Sequence, residues 1–347
     1  MIVNAYAVLD AFVSLLRLGL GLAVLGLALS AFRHYCRQAI APEMRESLED
    51  RYYLLFLLAG LLLGLNVLAW PLLYLLLQSY VPEWPGIMCI YGVTRIGSGS
   101  MGISRCLPTL LMMLQVVKPA LVFLSGAWFI LHLLNRRTRM APLTRRVLLV
   151  LFCSALLATV DAAVEVVYLA IPKREVFPSA GCCTAVAGEG DASRFLPGML
   201  VADGYVPWLY VVYYTANFGL VATLVNCLRF RGREIPPVRL ALLALGTIMT
   251  LAVNAVFLAD AAAPRLLHMP DHHCLYDLLP QAPESLIAVS LFLGGTFCVG
   301  WACIAGWLGD GLESGVFLPA TISRLLRAGL IGIVASVLLM SAELALM

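Results

Sequence analysis

VLLVLFCSALLATVDAAVEVVYLAI, residues 147–171, decides the fold. It is an apolar run long enough to cross the hydrocarbon core of a bilayer as a helix, which takes about 20 residues. Asp161 and Glu165 stand inside it, four positions apart and therefore on one helix face. Ionisable side chains within such a span are costly, and a functional role is the default hypothesis for them. Both the architecture and the place to look for chemistry therefore follow from this one stretch.

The rest of the chain is built in the same way. Of its 347 residues 62% are hydrophobic and only 12% are charged, with a mean hydropathy of +0.93. Soluble domains carry about 25% charged residues. Eight spans are expected, over 5–31, 52–80, 118–134, 147–171, 207–228, 240–262, 284–308 and 328–346. The fold expected is all-α, a polytopic transmembrane bundle forming a single integral membrane domain over 1–347. The third span is read as starting at Lys118-Pro119, with LPTLLMMLQVV (107–117) at the interface or re-entering. Proline suits a first helical turn, and lysine can snorkel to the headgroups. No basic residue precedes Arg17, so the first helix is expected to be retained rather than cleaved as a signal peptide.

The net charge is only +3, and the basic residues lie in short clusters between apolar runs. That pattern argues against nucleic acid and for membrane topology. Connections 33–51, 135–146, 229–239 and 309–327 hold fifteen Lys and Arg together, against six in the connections 81–117, 172–206 and 263–283. The positive-inside rule then puts both termini and the three long connections outside the cytoplasm, in a bacterial inner membrane. The expected partners are the lipid bilayer and other membrane or extracytoplasmic subunits.

Those outer connections share a pattern. PGIMC (85–89), PSAGC (178–182) and PDHHC (270–274) put cysteines 93 and 92 residues apart. A Leu-Pro follows each cysteine, and each preceding span carries Asn66, Asp161 or Asn254. The pattern predicts three parallel helix–loop–helix repeats, over 52–134, 147–228 and 240–308, with 5–31 and 328–346 as extra helices.

Two constellations carry chemistry. The first is the set Cys89, Cys182, Cys183, Cys274, His272 and His273 in the outer connections. Outside the cytoplasm these thiols form disulfides by default. Thiolate with imidazole also suits copper or zinc, and haem ligation is a further option. The chain has no Cys-x-x-Cys, so the common zinc and dithiol spacings are not met, and no Cys-x-x-Cys-His for covalent haem. The second constellation is the intramembrane set Arg17, Asn66, Asp161, Glu165 and Asn254. Arg17 and Asp161 fall at matching depth, which predicts an ion pair. The sharper reading is a proton path or polar pocket lined by Asn66, Asp161, Glu165 and Asn254. Asp10, Asp260 and Glu343 lie near the outer ends of their spans and are expected to be solvated; His132 is expected to be interfacial or packed. Three functions fit: a membrane subunit with an extracytoplasmic Cys/His face for metal handling or redox work within a larger complex, a thiol–disulfide oxidoreductase using quinone near Asp161, or a permease with structural disulfides in its outer loops.

Overall fold

A computed structural model describes residues 4–38, 46–84, 87, 89–97, 102–138, 142–173, 204–229, 236–269, 274–310 and 314–346. The chain is all-helical among the described residues, and eight of its helices are long and apolar enough to cross a membrane. Their outward faces carry large apolar side chains such as Phe12, Leu68, Met112, Phe218, Ile248 and Leu338. A helix satisfies its own backbone, so it can present such a surface to lipid.

The chain divides into two compact units, Met1–Ala180 and Gly181–Met347. The first contains α1 (Ala5–Gln38), α2 (Glu46–Tyr80), a short α3 (Ile90–Thr94), α4 (Leu107–Arg136) and α5 (Thr144–Ala170). Here α1 packs on α2 and α5, and α4 packs on α5 and α2, which closes a four-helix ring. Asn4 caps α1 by accepting the Ala7 N–H at 2.8 Å, and its amide donates to Ser79 at the end of α2 at 2.9 Å. The second unit contains α6 (Val206–Arg229), α7 (Pro237–Phe257), a π-helical turn Leu258–Ala262 leading into α8 (Ala263–Leu266), a short α9 (Leu275–Gln281), α10 (Pro283–Leu308) and α11 (Leu318–Leu346). The π turn sits just before Pro264, which has no N–H to return to the Asp260 carbonyl four residues back.

The second unit runs through the same order as the first. Its α6 packs on α7 and α11, and α10 packs on α11 and α7. In both units a cysteine stands immediately before the short helix, Cys89 before α3 and Cys274 before α9. The division between the units falls inside the 147–228 copy of the expected hairpin repeat.

What holds the two rings together differs. In the second unit α10 and α11 meet over glycines: a Cβ on Gly295 would lie 3.0 Å from the Gly329 carbonyl, and one on Gly332 would lie 2.9 Å from the Leu291 carbonyl. Small residues let two helix backbones approach closely. In the first unit the interior is charged.

One expectation is corrected. Helix α4 begins at Leu107 and runs unbroken through Lys118 and Pro119, so 107–117 is part of the span. Lys118 does not snorkel; it is 1% exposed, near the middle of the span Ile103–Arg136. Two carboxylates on α5 meet its ammonium there, which removes the cost that would otherwise drive a lysine to the interface.

Candidate functional site

Asp10, Ser14 and Arg17 occupy positions i, i+4 and i+7 of α1, one stripe on one face, and all three are buried. Asp161 and Glu165 form the facing stripe of α5, Lys118 enters from α4 and Asn66 from α2. The first unit therefore supplies all the side chains of one polar cluster in a bundle whose outer surface is apolar.

Arg17 is the centre of it. One Nη donates to Asp161 Oδ2, the other donates to Glu165 Oε2 at 2.9 Å, and Nε donates to Asn66 Oδ1 at 3.0 Å. The planar guanidinium holds its donors outspread on three nitrogens, a geometry that a compact ammonium does not offer. Lys118 Nζ lies 2.8 Å from Glu165 Oε1 and 3.2 Å from Asp161 Oδ2. Ser14 Oγ donates to Glu165 Oε2 at 2.7 Å. The four charged side chains at the centre, two of each sign, have no exposure at all.

Some bonding capacity is left over. Among the described residues, both oxygens of Asp10, Oδ1 of Asp161 and Nδ2 of Asn66 are buried without a hydrogen-bond partner. Glu165 Oε1 accepts no hydrogen bond either, although Lys118 Nζ lies 2.8 Å away, so four acceptor atoms stand against one donor and the cluster favours something that brings hydrogens. Buried polar atoms in native proteins are nearly always satisfied, so this remainder calls for an occupant or for a proton. Asp10 is 1% exposed, and the expectation that it is solvated is wrong. The α1 stripe that buries Ser14 and Arg17 also turns Asp10 inward.

Above the cluster, at the end of α5, lies Lys173. Its Nζ donates to the carbonyls of Tyr168 at 2.6 Å and Ile171 at 3.3 Å, and sits 4.4 Å from the centre of the Tyr168 ring and 5.9 Å from that of Tyr80. Burial pushes its ammonium down to about 8.

Asn254 belongs to the second unit, where its amide donates to Asn217 Oδ1 at 3.4 Å and to the Thr250 carbonyl at 2.8 Å. The interhelix bond between α6 and α7 thus joins two neutral amides where Arg17 joins α1 to Asn66 of α2. Asp260 is also buried, not solvated: it lies in the π turn and accepts the Tyr205 hydroxyl at 2.7 Å. Glu343 is half-buried and accepts from Ser285 at 3.0 Å. His132 stacks on Trp128 with ring centres 5.0 Å apart and contacts Phe56 at 4.5 Å, a packed residue of the first unit.

Of the Cys/His set, Cys182, Cys183, His272 and His273 lie outside the described residues. Cys89 and Cys274 are buried and Cys106 is exposed. Sequence reasoning missed Ser14, read Asp10 as solvated, and put Lys118 at the interface. The signal that finds the first two is the spacing Asp10, Ser14, Arg17 in an otherwise apolar helix.

No family model, curated protein or solved structure matches the chain.

Proposed function

We propose that this integral membrane protein is a permease whose translocation site is the charge cluster of the first unit. The observation that carries the reading is the set Arg17, Lys118, Asp161 and Glu165, held with no exposure on α1, α4 and α5 deep within the spans. Intramembrane charges of this kind mark ion, proton and substrate pathways. The second unit supplies the internal control. Its helices follow the same order, yet they close around neutral amides and glycine contacts. A four-helix ring of this chain therefore folds around a single buried acid, Asp260 on Tyr205, rather than around a four-charge cluster among the described residues, and buried ion pairs are seldom better than apolar packing for stability alone. The unmatched acceptors beside the pairs support a ligand rich in hydrogen-bond donors.

In this reading both termini are extracytoplasmic in a bacterial inner membrane, on the strength of the basic residues in the connections that would then face the cytoplasm. The test is reconstitution into liposomes and recording of transient currents on a solid-supported membrane after concentration jumps of amines, amino acids, organic acids, sugars and alkali cations. A permease yields a current for at least one class, and Asp161→Asn removes it. Silence across all classes, with correctly folded protein in the vesicles, overturns the reading.

A second reading keeps the extracytoplasmic Cys/His face as a metal or redox site, within a larger complex or acting on thiols with quinone. It is favoured by the like positions of Cys89 and Cys274 before their short helices, both buried. Metal analysis and a free-thiol count of the purified protein test it; a metal-free chain whose outer thiols are all oxidised and inert to quinone excludes it.

A further inference from the structure

We infer that Asp10 is a proton-binding site, the carboxyl through which this membrane protein takes up and releases one proton. The inference deepens the permease reading and rests on it for what the proton does, while the binding itself is measured separately.

Three observations lead to it. The first is charge. The cluster contains two cations, Arg17 and Lys118, and three carboxyls, Asp10, Asp161 and Glu165, all buried. With every group ionised the set carries one uncompensated negative charge inside a membrane, a state strongly disfavoured by the low dielectric. One proton makes it neutral. The second is bonding. Asp161 accepts from Arg17 and faces Lys118, and Glu165 accepts from Arg17 and Ser14 and faces Lys118, so these two are held as carboxylates. Asp10 has no donor on either oxygen among the described residues, so the proton resides there at least cost. The third is position. Asp10 stands seven residues before Arg17 on the same stripe, about 10 Å along the axis at ~1.5 Å per residue, towards the end of the bundle where α1 begins. The charged and titratable groups within electrostatic reach of it are Arg17 on α1, Tyr80 on α2, Lys118 on α4, and Asp161, Glu165 and Tyr168 on α5. Asp10 thus lies between the fixed pairs and the end of the bundle where Lys173 sits on Tyr80 and Tyr168.

The step is a simple acid dissociation. The O–H bond of the Asp10 carboxyl breaks, the electron pair stays on the carboxylate, and the proton passes to water at that end of the bundle. Nothing is oxidised or reduced.

The experiment is infrared difference spectroscopy of the full-length protein in liposomes between acidic and alkaline pH, alongside the current measurements above. The expected result is a carbonyl stretch of a protonated carboxylic acid in an apolar setting, present at neutral pH, bleached at alkaline pH and absent from Asp10→Asn. Glu165→Gln leaves two cations against two carboxyls, so its band should bleach at a lower pH than that of the wild type. Asn is isosteric with a protonated Asp, so Asp10→Asn should fold and melt as the wild type does. The proposal is overturned if the spectra of wild type and Asp10→Asn coincide, or if Asp10→Asn is strongly destabilised, which would mean that the negative charge itself is needed. An Asp10 band without any solute current would keep the proton site and remove the permease. Solute currents without an Asp10 band would do the reverse.

Discussion

Replacing Arg17 by methionine keeps an unbranched chain of comparable reach and removes only the guanidinium. The structure states what is lost: hydrogen bonds to Asp161, Glu165 and Asn66, and two ion pairs with no exposure. Lys118 is left alone against both carboxylates, so the interior acquires one negative charge. Removing one partner of a buried pair typically costs about 3–5 kcal/mol. At about 1.4 kcal/mol per tenfold, that is two to nearly four orders of magnitude in the unfolding equilibrium. The double variant Arg17→Met/Asp161→Asn leaves Lys118 against Glu165 and is neutral again. It should recover more than half of the loss, although it has fewer bonds than the wild type. Arg17→Lys keeps the charge but loses the planar, outspread donors, and should fall between. The assay is unfolding of detergent-solubilised protein by heat or by titration with a harsher detergent, followed by fluorescence-detected size exclusion. The reasoning fails if Arg17→Met is as stable as the wild type, or if the double variant is no better than the single one.

Three further outcomes are expected. The ammonium of Lys173 is lowered from 10.5 to about 8, so between those pH values the unfolded chain binds a proton that the folded chain has released; wild-type stability should therefore rise relative to Lys173→Met over that window, and melting curves from neutral to alkaline pH will reveal a flat difference if the site is not buried. Gly332→Ala should destabilise by about 1–3 kcal/mol because its Cβ would meet backbone atoms of α10, whereas Gly294→Ala, with nothing within 4 Å, should be tolerated; equal melting temperatures for the two would contradict the α10–α11 packing. Cys106 is exposed while Cys89 and Cys274 are buried, so a membrane-impermeant maleimide should label Cys106 in native vesicles and reach the other two only after denaturation, and labelling from the cytoplasmic side alone would reverse the orientation inferred from the basic residues.

The membrane class and the eight spans were legible from the amino-acid sequence, because hydropathy is a local property and a helix that satisfies its own backbone needs no neighbour to cross a bilayer. So were Arg17, Asp161 and Glu165 as residues to watch, since a charge in an apolar run is conspicuous wherever it points. The neighbours of those charges were not legible. Lys118 reads as interfacial beside Pro119, and Asp10 and Asp260 read as solvated near the ends of their spans; all three are buried. Which side of a helix faces inward depends on the helices packed against it, so the depth of Lys118 was decided by Asp161 and Glu165 on another segment. The grouping into two four-helix units was likewise a tertiary outcome, because the regular spacing of cysteines in the loops records chain order and not which spans meet. Asp10 makes the distinction sharpest: one residue near a span end reads as wet, and only the ring of α1, α2, α4 and α5 closing around it turned it into a carboxyl with no hydrogen-bond partner among the described residues.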